Sequence, residues 1–444
     1  MTAPSGWSWL RLAWLALAAA LFVGMALVHA DRVNVDPKRH DQDSYLAFAV
    51  KQKESSFTAL GTRRQMPIYP TLQALFYTPG MSEAAHFARA KRVNIALSAA
   101  IALALAALLA RLLPKEEARN VALVTIFFVI AFRAPYVQAE VLVYAAIFVL
   151  FVLLCAMWRR PSLPLAIAAG GTAAIGFLVK GTTLLGLYVF LGALAARELV
   201  RLARRKAPVL ALKNLALGAV TFGAFFAGIW PYAKNSKEIY GAYLYDMNTR
   251  YVMWCDSWEH YASLNWRFGT HDVWKSHPPP EIPTMGSYLA THSIWDIVKR
   301  TLGGLAEVIG NCLISHGYAL FFVLLWAFAT ALVKAHPDLR RRIFRPRELD
   351  WVGWFVLPYL AVYLLVFGFY GPLGAGERFS LAMFVPATYA ITRAFAGKAG
   401  PEHTVKIGRV ALDWAGFQSL LFALLVVQIV TYFAPAMATQ YAGG

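Results

Sequence analysis

Charge is scarce in this chain of 444 residues: Asp, Glu, Lys and Arg together make up 15% of it, where a soluble domain carries about 25%. Acidic residues are the scarcer sign, 24 against 42 lysines and arginines. Cysteine is nearly absent. Cys155 lies mid-way through an apolar run, Cys312 near the end of another, and Cys255 stands apart. Three thiols so placed make no disulfide framework. No internal repeat and no low-complexity block interrupts the chain, so residues 1–444 read as one polytopic unit rather than as linked domains.

Apolar residues fill the space that charge leaves. They make up 59% of the sequence, and the mean hydropathy is +0.51. Apolar runs near the ~20-residue length that crosses a bilayer recur from end to end. Eleven are predicted, at about 8–30, 93–113, 119–133, 137–157, 162–179, 182–196, 210–231, 303–333, 351–370, 379–394 and 412–433. The "VHA" before Asp31 faintly resembles a signal cleavage site, but the n-region holds no strong basic cluster, so 8–30 reads as a retained first span. The expected fold is an all-α integral membrane protein.

The net charge of +18 could point to nucleic acid, but its distribution does not. Basic residues gather in short segments between apolar runs: six in 197–213, six in 334–350, four in 393–411, three in 111–119 and two in 158–161. The short connections on the other side contribute only Arg133, Lys180 and Arg378. That is the positive-inside pattern, and it places the N-terminus in the cytoplasm of a multi-pass plasma (inner) membrane protein with no nucleic-acid partner. Two long segments, 31–92 and 232–302, then lie outside. On the same side fall Asp41, Asp43, Glu140, Lys180 and Arg378, so polar residues converge on one face from separate parts of the chain.

The stretch "RHDQDSYLAFA" (Arg39 to Ala49) places two aspartates just past the first span. If 41–50 is helical, Asp41 and Tyr45 share a face at i,i+4, and Ala47, Phe48 and Val50 supply apolar surface. Such a helix would lie along the membrane, its acid near the lipid–water boundary. A carboxylate there could accept a proton from a hydroxyl; two solvated acids capping a short helix are the plainer alternative. Trp254, Trp258, Trp266, Trp274 and Trp295, with seven tyrosines, crowd 232–302. An interfacial aromatic belt accounts for part of that set, and stacking on sugar rings suits the rest. His260, His271, His277, His292 and His316 lack the spacing of a zinc site, so no metal is assigned from them.

Five ordered elements resemble the membrane-embedded GT-C glycosyltransferases, in particular the protein O-mannosyltransferase and aminoarabinose-transferase branch. "DQDSYLAFA" with "GTRRQMPIYPTLQALFYTPG" (Gly61 to Gly80) is similar to their first outside loop, an Asp before a Tyr followed by a Met–Pro–x–Tyr–Pro element. "YVQAEVLVYAAIF" places Glu140 at the start of a later span, and "GFLVKGTT" places Lys180 at a span end. "WPYAKNSKEIYGAY" (Trp230 to Tyr243) resembles a Trp-Pro turn followed by a basic residue and Asn, here Lys234 and Asn235; "GERFSLAMFVP" opens a late span with Arg378. The resemblance runs from residue 1 to about 394. Some members carry a large soluble domain beyond the last span, where this sequence has a short tail.

The resemblance implies a bundle of about eleven spans with interfacial helices in the first outside loop. It implies an enzyme, a hexosyl- or pentosyltransferase that moves a sugar from a polyprenyl-phosphate donor to a lipid, glycan or protein hydroxyl on the extracytoplasmic side. Asp41 would be the general base, with Asp43 its close second and Glu140 near the donor sugar. Arg378 and Lys180 would neutralise the lipid phosphate, with Arg63 and Arg64 adding contacts; Tyr45, Tyr69, Lys234, Asn235, Trp254, Trp258 and His260 would contact substrate. Some members use a divalent cation held by first-loop acids, a point this sequence leaves open. A transporter and a lipid-linked glycan polymerase or ligase are the rival readings. Transporters place ionisable groups inside spans and often show inverted repeats, whereas the span centres here are almost free of charge.

Overall fold

The computed structural model describes residues 9–59, 65–268, 279–316, 318–374 and 376–428. The chain opens with α1 (Trp9–Arg32), then a single tight turn at Arg39–Asp41 leads into α2 (Gln42–Glu54) and α3 (Ile68–Ala74). Next come α4 (Glu83–Leu112), capped by the Ser82 side chain, and α5 (Lys115–Val124), which continues through a wider π-helical turn at Thr125–Ile130. The apolar centre is α6 (Glu140–Arg159), α7 (Leu163–Val179), α8 (Thr183–Ala203) and α9 (Pro208–Tyr240). Between α9 and the next long helix come α10 (Met247–Arg250), α11 (Trp258–Phe268) and α12 (Met285–Thr291). The remainder is α13 (Ile294–His316), α14 (Tyr318–Ala335), α15 (Pro337–Ile343), α16 (Pro346–Trp351), α17 (Leu357–Tyr370) and α18 (Gly376–Phe395), the hairpin β1 (Val405–Ile407) and β2 (Val410–Leu412), and α19 (Trp414–Gln428).

The described residues are mostly helical, with one short two-stranded hairpin. Among the described residues, five helical stretches are long and apolar enough to cross a membrane: Glu83–Leu112, Glu140–Arg159, Thr183–Ala203, Pro208–Tyr240 and Glu348–Leu373. A sixth is added if α14 and α15, which meet at 117°, count as one broken span. Large apolar side chains stand exposed along these helices, Leu103, Val209, Val323 and Trp326 among them. Water would penalise such a surface and lipid would not. This is a multi-pass membrane protein.

The boundaries depart from the eleven expected spans in instructive places. The run 119–133 is α5 and its π turn, too short and too polar at its start to cross alone. The run 303–333 is covered by α13 and α14, with Gly317 outside the described residues. α9 continues through Pro231 to Tyr240, so the expected Trp-Pro turn is helix and carries Lys234 and Asn235 with it. Pro231 is tolerated where neighbouring helices and side chains satisfy the freed backbone groups.

Helix α6 is the hub, with Ile147, Phe148, Leu150, Phe151 and Leu154 fully buried among its neighbours. At its far end charge is sequestered rather than displayed. Buried Arg197 lies 2.6 Å from Glu198 and 3.2 Å from Asp350, and stacks over the Trp158 ring. Trp158 donates to Asp350 at 3.1 Å and Asn214 donates to Glu198 at 3.1 Å. Part of the basic 197–213 segment thus clasps helices together.

Candidate functional site

The site is organised by the loop that feeds α6. Asn94 donates to the carbonyls of Ala134 and Tyr136 at 2.9 and 2.7 Å. Gln42, fully buried, accepts from the Val137 amide at 2.8 Å and trades two 2.8 Å bonds with Asn34. These bonds lock the first turn of α2 to residues 134–139, and so set Asp41 beside the start of α6. The helix begins with Glu140, whose carboxylate sits in the first turn, where the macrodipole favours negative charge.

A cavity of about 180 Å³ opens here, lined by Asp41, Tyr45, Glu140, Lys180, Asp246 and Trp258. Lys180 caps α7 in an extended conformation and reaches Glu140 at 3.0 Å, with its ammonium 4.6 Å from the centre of the Phe379 ring. Tyr363 of α17 steadies the α7–α8 step by donating to the Thr182 carbonyl and accepting from the Gly186 amide.

The expected site residues divide cleanly. Asp41 adopts a left-handed backbone, φ 65°, at the start of α2 and lines the cavity. That conformation is uncommon for a residue with a Cβ, and aspartate is among the few that tolerate it. Its side chain does not cap the helix. Asp43 faces away: it is exposed and accepts from the Ser44 amide at 2.7 Å. Two residues along a helix turn about 200° around its axis, so both acids could not share one face. Tyr45 lines the cavity, packed edge-on to Tyr69 at 5.2 Å.

Tyr69 itself belongs to the core. It is fully buried, donates to Asn94 at 3.0 Å and accepts from Gln73 at 3.0 Å. Lys234 is exposed on α9, 3.9 Å from Glu238, and neither it nor Asn235 lines the cavity. Trp254 instead lines a neighbouring groove, while His260 pairs with Asp256 at 3.6 Å outside both. Arg63 and Arg64 lie outside the described residues, as does Trp274. Arg378 falls in the first turn of α18, one residue before Phe379.

Asp246 is the residue that sequence reasoning missed. Its carboxylate caps α10, accepting from the Thr249 hydroxyl at 2.6 Å and from the amides of Asn248 and Thr249. It also lies against the Lys180–Gly181 step: a Cβ added at Gly181 would sit 3.3 Å from Asp246 Oδ2. Burial raises the Asp246 pKa above the usual carboxylate range, outweighing the hydrogen bonds from Thr249 and Asn248 that favour charge. The signal in "YDMNTR" was an N-cap signature, which marks a local turn and carries no hint of a cavity.

The adjoining groove is apolar and about 490 Å³ in volume. Trp254, Val298, Thr301, Leu302, Leu365 and Phe369 line it, and it shares Met253 and Val366 with the polar cavity. Its walls are α13 and α17, which approach closely at Gly304, Gly368 and Gly371. A Cβ on Gly368 would lie 2.7 Å from the Thr301 carbonyl, and one on Gly304 would run into the Gly368 carbonyl. Leu302 and Leu365 are half exposed, so the groove faces outward between the two helices.

No family model, characterised protein or solved structure matches this chain. Among the described residues the cavity's carboxylates do not assemble into a metal-ligand cluster. Asp43 points away from Asp41, and Glu140 is engaged by Lys180.

Proposed function

We infer that the protein is a membrane glycosyltransferase of the GT-C type, acting on a polyprenyl-phosphate sugar at its extracytoplasmic face. The observation that carries this reading is the polar cavity, with Asp41, Glu140, Lys180 and Asp246, adjoining an outward-facing apolar groove. A lipid-linked substrate needs both parts. Its isoprenoid chain fits an apolar channel between α13 and α17, and its sugar and phosphate fit a chamber with carboxylates and a cation.

The chemistry follows from the parts. Asp41 accepts the proton of the acceptor hydroxyl as that oxygen attacks the anomeric carbon from the face opposite the phosphate. The bond between the anomeric carbon and the phosphate oxygen breaks, and polyprenyl phosphate departs as an anion. Lys180, with Arg378 at the head of α18, stabilises that developing charge. Glu140 holds Lys180 in place, and the aromatic wall of Trp258 and Tyr261 supplies faces for a sugar ring.

Transfer assays with polyprenyl-phosphate sugars test the reading. Asp41→Asn should lower the rate at least a hundredfold, within the range that general-base catalysis contributes, and keep donor binding. Asp43→Asn should retain activity. Full activity in Asp41→Asn would remove the base from this account.

A further inference from the structure

The end of the bundle away from the cavity holds a second constellation. α14 ends at Ala335, the chain turns by 117° at His336, and α15 begins at Pro337. The segment after α18 comes back to this bend and presents Glu402 and His403 ahead of the β1–β2 hairpin. His336, Asp338 and His403 meet there, each with a ligand atom within 4.8 Å of the others.

The hydrogen bonding of His403 is unusual for an imidazole. The ring is almost fully buried, and each nitrogen faces its own carboxylate. Nε2 lies 3.0 Å from Asp338 Oδ2, and Nδ1 lies 3.0 Å from Glu402 Oε1. Nδ1 also accepts from the Gly400 amide at 3.1 Å. A neutral imidazole has one N–H and can serve one carboxylate only. With Nδ1 accepting from Gly400, the single N–H sits on Nε2 and serves Asp338, and Glu402 has none. A metal ion on Nε2 would move that proton to Nδ1, which then exchanges the Gly400 amide for Glu402 in the carboxylate–histidine–metal arrangement.

The dimensions agree. Ligands at 2.0–2.1 Å around a tetrahedral ion stand roughly 3.3 Å apart, close to the 3.0 Å between His403 Nε2 and Asp338 Oδ2. His336 packs edge-on to His403, ring centres 5.0 Å apart, and donates Nε2–H to the Thr404 carbonyl at 3.0 Å. A bond of that kind orients a ligating ring. Arg342 opposes a cation, its guanidinium 3.6 Å from Asp338 Oδ2.

We propose that His336, Asp338 and His403 form a binding site for a divalent transition-metal ion of the zinc class, with Glu402 as the carboxylate behind His403. Two imidazoles and one carboxylate suit zinc, and water completes the fourth position. The ion ties the α14–α15 bend to the hairpin segment. It lies at the opposite end of α17 and α18 from the cavity, so its role is to hold this end of the bundle together.

The test is titration of chelator-stripped, full-length protein in detergent with Co²⁺, followed by Zn²⁺ competition. The expected result is one equivalent of Co²⁺ per chain with the absorption of a four-coordinate site, displaced by Zn²⁺. His403→Gln should abolish it, and Glu402→Gln should weaken it about 10- to 100-fold. Arg342→Gln, at an exposed side chain, should bind at least as tightly as the parent, and keeps the test informative if His403→Gln misfolds. No uptake by the parent protein would overturn the proposal. Uptake unchanged in both His403→Gln and Glu402→Gln would overturn it equally.

Discussion

Lys180 Nζ lies 3.0 Å from Glu140 Oε1, joining the end of α7 to the start of α6 at the wall of the cavity. Glu140 is 4% exposed and Lys180 23%, so the pair is shielded but reachable from the cavity. The lysine is thus already partnered, and an anion entering the cavity would share it with Glu140 rather than meet an isolated cation.

Removing one member leaves the other charge poorly compensated. Lys180→Met should destabilise the protein by about 3 kcal/mol, the range for a broken buried pair. The double variant Lys180→Met/Glu140→Gln should lose less than the sum of the two single changes, by about 1 kcal/mol or more. Thermal unfolding in detergent across the four proteins measures the coupling; additive losses would show that the contact carries little energy.

The raised pKa of Asp246 has a sign that can be checked. Its folded pKa lies above its unfolded value of about 3.9, so the folded state holds the proton longer. The stability tied to that proton is complete below the unfolded pKa and is lost as pH rises through the folded one. Asp246→Asn keeps a good capping residue and removes the titration. Its melting temperature relative to the parent should therefore climb as pH rises from 3.5 to 7. A difference that stays flat would place Asp246 in an ordinary, solvated setting.

The groove depends on close helix approach. Gly304→Ala would push a methyl into the Gly368 carbonyl, forcing α13 off α17 at a cost of about 1–3 kcal/mol. Gly303→Ala, where an added Cβ meets nothing within 4 Å, should be neutral and is the control. Equal melting temperatures for the two variants would mean that the crossing is loose.

The sequence was informative where a property repeats along it. Apolar runs announced α4, α6, α8 and α9, and the asymmetry of lysine and arginine predicted that Asp41, Glu140 and Lys180 would fall on one side. They do line one cavity. Contacts made across the fold were not legible. Tyr69 was expected at the substrate and is core, because the pairing of its hydroxyl with Asn94 is a tertiary event. Asp246 was not singled out in the sequence: it caps α10, and only packing against Gly181 makes it a cavity wall. His336 and His403 are too far apart in sequence to display ligand spacing.

The most direct test of the central claim is mass spectrometry of the lipid that co-purifies with the protein in mild detergent. The account predicts a polyprenyl-phosphate sugar in the parent protein and its loss in Arg378→Ala. Bulk phospholipid alone, with no binding of added polyprenyl-phosphate sugar, would contradict it.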